Sequence, residues 1–359
     1  MIKILFTNIW QSANTGDNAI WKNLAQRFVD EFKEVKFIFA SQQLIDWDKE
    51  QLKDFNIKYS ITPTGVPTNQ DVKEADILIS QGGGYMIGDG MIKFLKIFEY
   101  AQSLNKPTIF ATQTFVGPIN ESTTKLLNQV LNKANLVVAR ELETLNFLKN
   151  NGIKNAIILP DQVFTIKPKT YITPNNSIKI GIRSYSANKE AMFNIAKLSD
   201  MIMEAFGQVV FVPVGHGGNR NDIDGMQIIK QLTKHKPIFV EEQLTANQLM
   251  GIFNNGIVIS DRYHGIIYSA SMCTPFLAMS PDIDFKMPGL LRTLDYPIKS
   301  VLSINNSSAE TIFQNVKNIW INRENIKKHL ETKIPNIKKQ AESLYPLIFN
   351  ICKSYITNR

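Results

Sequence analysis

At 359 residues the chain is too long for one ordinary hydrophobic core, and length alone points to about two domains. Its 44% hydrophobic and 20% charged residues are those of a globular protein, and the net charge of +8 suits anionic partners without naming one, because the lysines are spread along the chain. The densest uncharged stretch, Gly265 to Ser280, is punctuated by Gly, Ser, Thr and Pro and falls short of the ~20 mainly apolar residues that a bilayer crossing needs.

The N-terminus, MIKILFTNIW, has one lysine and a short apolar run that meets Asn8 without a small-residue cleavage site. It reads as a first strand rather than a signal peptide, and a cytoplasmic protein is expected. Cys273 and Cys352 stand far apart without metal-ligand spacing, which argues against a disulfide framework and a structural zinc site. No zinc-finger spacing or aromatic RNA-binding motif occurs, so nucleic acid is not an expected partner.

Short apolar runs alternate with amphipathic ones through the first half, the pattern of a parallel sheet with crossover helices. Strands are expected at Lys3 to Phe6, Lys36 to Phe39, Ile77 to Ser80, Thr108 to Ala111, Leu136 to Ala139 and Ile157 to Leu159. Asp17 to Phe32 and Met91 to Leu104 read as helices between them. The polar stretch Lys167 to Ser177 breaks the rhythm and is the expected linker. Beyond it strands are expected at Ile178 to Ile182, Val209 to Val212, Ile238 to Val240, Ile257 to Ser260 and Phe276 to Ala278. After Asn306 one long helical pattern runs on, broken near Pro335 and Pro346. The reading is therefore an α/β protein of two Rossmann-like domains facing a central cleft, residues 1–167 and 178–305, with a helical segment 306–359 crossing back onto the first domain.

Ligands of open α/β sheets sit at the carboxyl ends of the strands, so the loops after each run matter most. Asn14-Thr15-Gly16-Asp17 leads into a helix, where backbone N–H groups suit an anion or a hydroxyl; Asp17 reads either as an N-cap or as a substrate contact. Gly82-Gly83-Gly84 allows close backbone approach to a ligand or makes a tight turn. Arg140 faces the cleft or pairs with an acid at a helix start, with structure favoured, and Asp161 carries the same ambiguity. In the second half, Arg183 follows a strand and suits a carboxylate or phosphate. His216 and Gly217 lie in a glycine-rich loop. Arg262 and His264 place a fixed cation and a titratable imidazole at a helix N-terminus, where anions bind and a proton donor can reach a leaving group. His235 and His329 read as surface residues.

The ordered set of these segments resembles the polysaccharide pyruvyl transferase family. The matching pieces are Asn14-x-Gly16-Asp17, Gly82-Gly83-Gly84, Gln113 with Gly117-Pro118, Arg140-Glu141-x-x-Thr144, Pro160-Asp161, Arg183, and Arg262-Tyr263-His264-Gly265 followed by Pro275. Lys286 and Gly289-Leu290-Leu291 extend the match. Tyr263 stands where the family has leucine, and Thr112 where glycine is common.

The resemblance implies a fold like that of two-domain (GT-B) glycosyltransferases. It also implies transfer of a pyruvyl group from phosphoenolpyruvate to two hydroxyls of one sugar, leaving a cyclic ketal. Arg183 and Arg262, helped by Lys286, are then the donor's cations, His264 the general acid, and Asp17 or Asp161 a base near the acceptor. Asn14, Gly82, Gly83, Gly84, Gln113, His216 and Gly217 complete the expected substrate contacts. Neither metal nor redox cofactor is called for; phosphoenolpyruvate serves as donor substrate. The acceptor in such pathways is a glycan, often a lipid-linked oligosaccharide at the inner membrane face. The basic residues Lys327, Lys328, Lys333, Lys338 and Lys339 read as a solvated helix face or as a contact with anionic lipid. Two other functions fit the same pattern: a nucleotide-sugar glycosyltransferase and a glycan-binding subunit without chemistry.

Overall fold

The computed structural model describes every residue except 8, 10–13, 43–48, 51, 172, 173, 175, 184–188, 217–220, 281–285 and 359. The chain divides into two compact units. Unit 1 comprises Met1–Ser12, Asp17–Thr165 and Lys339–Arg359; unit 2 comprises Ala13–Gly16 and Ile166–Lys338.

Unit 1 contains β1 (Ile2–Thr7), β2 (Val35–Ser41), β3 (Ile57–Ile61), β4 (Ile77–Ser80), β5 (Gly83–Ile87), β6 (Thr108–Val116), β7 (Leu136–Ala139) and β8 (Ala156–Ile158). Its helices are α1 (Thr15–Glu31), whose first residues group with unit 2, α2 (Asn69–Glu74), α3 (Ile92–Ser103), α4 (Glu121–Leu131) and α5 (Leu142–Asn150). Unit 2 contains β9 (Ile178–Gly181), α6 (Lys189–Phe206), β10 (Val209–Phe211), α7 (Asp222–Leu232), β11 (Ile238–Phe239) and α8 (Ala246–Ile252). It continues with β12 (Ile257–Ser260), α9 (Tyr263–Ser271), β13 (Phe276–Ser280), α10 (Lys286–Thr293) and β14 (Leu302–Ser303). Two last helices follow, α11 (Ala309–Glu342) and α12 (Leu344–Thr357).

All strand pairs are parallel, in the orders β3-β2-β1-β4-β6-β7-β8, with β5 also on β6, and β11-β10-β9-β12-β13-β14. Central strands covered on both faces read as continuous apolar runs, which is why they are legible from sequence. In unit 1, Ile4 and Phe6 of β1 meet Leu24 and Phe28 of α1 together with Ile348 and Phe349 of α12, whereas Leu5 joins Phe94 and Phe98 of α3 on the opposite face. In both sheets the chain grows outward in one direction and then restarts on the other side. The reversal falls between β1 and β4, where Thr7 pairs with Ser80, and between β9 and β12, where Gly181 pairs with Ser260. Such a switch point leaves a crevice at the strands' carboxyl ends.

Three strands depart from the sequence expectation. β3 has only partly buried and exposed positions, as an edge strand does, so no apolar run announces it. β5 begins inside the glycine run, which is a strand start paired with β6 and not a turn directly into a helix. β14 has two residues. The tail breaks at Ser343, near Pro346 as expected, but not near Pro335. Pro335 lies inside α11, flanked by buried Ile334 and Ile337, and Pro346 falls in the first turn of α12, where its missing N–H costs nothing.

No helix among the described residues is long and apolar enough to cross a membrane. Within the basic tail, Lys333 pairs with Asp295 at 3.0 Å and Lys338 donates to the Ser271 carbonyl at 3.1 Å, so these two are engaged in packing.

Candidate active site

The switch point of unit 2 gathers most of the charged residues singled out from sequence. Strand β12 ends in Ser260, whose hydroxyl donates to the Gly181 carbonyl of β9 and accepts the Arg262 N–H at 3.1 Å. This closes the two strand ends onto each other. Asp261, fully buried, accepts the Arg183 main-chain N–H at 2.9 Å, while its carbonyl accepts from Arg183 Nη2 at 3.1 Å. The Arg183 side chain remains 35% exposed and is the reachable end of this pair.

Arg262 sits at the N-cap of the nine-residue α9 and makes no side-chain cap, and the N-terminal turn of a helix carries partial positive charge. Its guanidinium is clamped by Asp222, through Nε to Oδ2 at 3.2 Å and Nη2 to Oδ1. The same Oδ2 accepts the main-chain N–H groups of Val214 and Gly215 at 2.9 and 2.8 Å. Burial pushes the Asp222 carboxyl up and Arg262 beside it pulls it down. We take the paired, ionised form as the resident one, because the carboxylate accepts four donors there. Sequence reasoning missed Asp222 and Asp261. Asp222 reads as an ordinary acidic first-turn residue of α7, and only the fold brings it under Arg262.

His264, the second residue of α9, is 6% exposed and meets the Tyr263 ring edge-on at 5.5 Å. The segment Asn14 to Gly16 belongs with it. Asn14 bridges Gly215, the Thr15 N–H donates to the Val214 carbonyl at 3.2 Å, and a Cβ on Gly16 would stand 1.9 Å from His264 Nδ1. Glycine is required at 16 because the imidazole occupies the side-chain space. Asn14 also caps α1, accepting the Gly16 N–H at 3.0 Å; the cap is therefore Asn14, and Asp17 is the buried third residue of the helix. His216 is buried beside Arg262, and burial with that cation holds its imidazole down to about 4. Lys286 opens α10 half-buried, and Gly217 lies outside the described residues.

In unit 1 the remaining candidates collect at the carboxyl edge of β1, β4 and β6. Gln113 Nε2 donates to Ser80 Oγ at 2.7 Å and to the Gln81 carbonyl, and its Oε1 has no partner among the described residues. Gly82 faces Thr112 and Gln162, Gly83 has φ +139°, and Gly84 continues into β5. Thr112 itself has φ +39°, a left-handed backbone at the place where glycine is common in the resembled family. Arg140 is buried in a network: Nη1 to Asp161 at 2.9 Å, Nε to Glu141 at 2.7 Å, Nη2 to Thr114 Oγ1 at 2.7 Å. Asp161 additionally accepts the Val163 N–H at 2.8 Å. A carboxylate fixed by a guanidinium and an amide is an anchor and a weak base.

The family model for polysaccharide pyruvyl transferase matches residues 14–283, which include every candidate named in both units except Lys286. The chain belongs to that family. It is a transferase enzyme of GT-B-like α/β fold. No curated protein matches it. Among solved structures it is similar to the S. aureus MnaA–UDP co-structure, with TM-score 0.68 and 14% identity over 99% of this chain and 97% of that one. It is similar also to UDP-GlcNAc 2-epimerase from Neisseria meningitidis bound to UDP-GlcNAc, with TM-score 0.64 and 12% identity over 97% and 100% of the two chains. A third likeness is Anabaena HepE in complex with UDP-glucose, with TM-score 0.60 and 13% identity over 99% and 100%. At these identities the likeness shows the fold.

Proposed function

We propose that this transferase moves the pyruvyl group of phosphoenolpyruvate onto two hydroxyls of one sugar in a glycan, forming a pyruvate ketal and releasing phosphate. The observation that carries this reading is the unit 2 switch point. There a partly exposed Arg183, the Asp222-clamped Arg262 and the N-terminus of α9 lie at the strand ends that also carry His264. A donor with both a carboxylate and a phosphate needs more than one cationic contact. Arg262 and Arg183 are each held by a buried aspartate, and a helix N-terminus such as that of α9 adds favourable potential for an anion. His264 delivers its proton to the methylene carbon, positive charge develops at the adjacent carbon, and a sugar hydroxyl attacks there. The amide and hydroxyl groups at the carboxyl edge of unit 1, Gln113 with Ser80 and Thr7, suit hydrogen bonds to a neutral sugar.

Phosphate release from phosphoenolpyruvate by the purified protein, with and without a panel of galactosides, mannosides and N-acetylhexosamines, tests this. Acceptor-dependent release that His264→Ala abolishes is expected; release of a nucleotide instead overturns the donor. A second reading, a glycosyltransferase with a nucleotide-sugar donor, is favoured by the UDP or UDP-sugar in the three solved relatives. Thermal stabilisation by UDP-sugars but not by phosphoenolpyruvate would support it over the first.

A further inference from the structure

The proposed ketal transfer has a proton inventory that one imidazole does not complete. Two sugar hydroxyls lose protons. One proton is gained by the methylene carbon, which becomes a methyl group, and one by the departing phosphate, since breaking its bond to carbon would otherwise expel a fully deprotonated trianion. His264 accounts for the carbon. A second group has to receive the first hydroxyl's proton and protonate the phosphate.

The structure holds a second imidazole on the same framework. His216 is buried, and its Nε2 has no hydrogen-bond partner among the described residues. Such an atom is costly to bury unless a ligand or water completes it. Its position is fixed from two sides. Asp222 holds the two preceding N–H groups of the loop while it clamps Arg262, and the Asp222 N–H donates back to the Gly215 carbonyl at 3.0 Å. Gly215 also bridges Asn14, and Gly16, two residues further on, lies against His264. One short segment thus has an imidazole-bearing loop on one side and the second imidazole on the other.

We propose, resting on the reading above, that His216 is a catalytic proton shuttle. Its Nε2 accepts the proton of the first sugar hydroxyl as that oxygen bonds to the cationic carbon. It returns the proton to the bridging oxygen as the carbon–phosphate oxygen bond breaks. The second hydroxyl then closes the ketal and gives its proton to His264, which had lost one to the methylene carbon, so both imidazoles end as they began. Among the described residues, the charged groups that face His216 are Arg262 from the start of α9 and, behind it, Asp222 from the start of α7. In the free protein burial and the Arg262 cation keep the imidazole neutral and ready to accept. A phosphate beside Arg262 offsets the cation and makes the imidazole more basic when the proton is due.

His216→Gln keeps a similar size and a hydrogen-bonding end but cannot shuttle a proton. Phosphate release under single-turnover conditions is expected to fall by about 100-fold or more. Phosphoenolpyruvate affinity by isothermal titration is expected to stay within about threefold, because the cations are untouched. Turnover retained within about threefold overturns the role, and so does an equal loss of affinity and turnover, which would make His216 a binding residue. A wild-type protein that binds phosphoenolpyruvate but releases no phosphate with any acceptor overturns the donor reading, and this role falls with it. A wild type that does react, paired with an active His216→Gln, overturns the role alone.

Discussion

Gly16→Ala is the sharpest perturbation the site offers. The new Cβ would stand 1.9 Å from His264 Nδ1, 2.0 Å from Cγ and 2.5 Å from Cβ. Ordinary carbon contacts begin near 3.5 Å, so the imidazole or the start of α1 has to retreat by about 1.5 Å. A misplacement of about 1 Å at a reacting group costs about 100-fold, equivalent to roughly 2.7 kcal/mol of barrier. Overpacking costs about 1–3 kcal/mol of stability, opposite in sign to the helix-propensity gain of up to about 1 kcal/mol that alanine has over glycine. Phosphate release and chemical denaturation are the assays. Gly16→Ala is expected to lose both activity and stability, and in a His264→Ala background to add little further loss of activity. Relief of the stability cost there is partial, because the β-carbon of residue 264 remains. Wild-type activity together with raised stability in Gly16→Ala would refute the argument that the imidazole fills the space over Gly16.

Asp161→Asn removes one of the two buried carboxylates that pair with Arg140 among the described residues and leaves Glu141, and a loss near the lower end of the 3–5 kcal/mol typical of a broken buried pair is expected in urea melts. Lost activity at unchanged stability would instead return Asp161 to the chemistry. Lys179, fully buried in β9, is pushed by burial from 10.5 down to about 7, despite its bonds to the Asn255 carbonyl and side chain. Between about 7 and 10.5 the unfolded chain therefore holds more protons at this site, so stability rises with pH by up to about 1.4 kcal/mol per unit; denaturant melts at pH 7, 8 and 9 should show that Lys179→Met has lost this slope. Equal slopes in both proteins would refute the depressed amine. Gly82→Ala places a Cβ 2.5 Å from Thr112 Oγ1 and should destabilise by about 1–3 kcal/mol, most of it recovered in Thr112→Gly, which also relaxes the left-handed backbone at 112. Additive costs in the double variant would break that link.

The alternation of βα units and the buried central strands were legible because parallel strands covered on both faces must be apolar throughout, as in Ile77–Ser80 and Ile257–Ser260. The strand-end rule points to Arg183, Arg262 and His264 from sequence, since chain order alone sets which loops follow strands. Edge strand β3 was not legible, because its half-exposed pattern has no run to detect. The break at Ser343 was announced by nearby Pro346, whereas the end that Pro335 suggested does not occur, because burial of Ile334 and Ile337 carries the helix through it.

Partnership was decided only by tertiary structure. The sequence by itself determined an α/β chain with two similar halves and a set of polar loops, because hydrophobic period and turn residues are local properties. It left Arg140 and Asp161 open between site and scaffold, and their mutual buried ion pair appears only when β7 and the end of β8 are brought side by side. Asp222 under Arg262, 40 residues away, and Gly16 under His264 are likewise long-range events. Which charge meets which depends on strand order, and the cost of burying an unpaired charge makes those meetings definite in the folded chain.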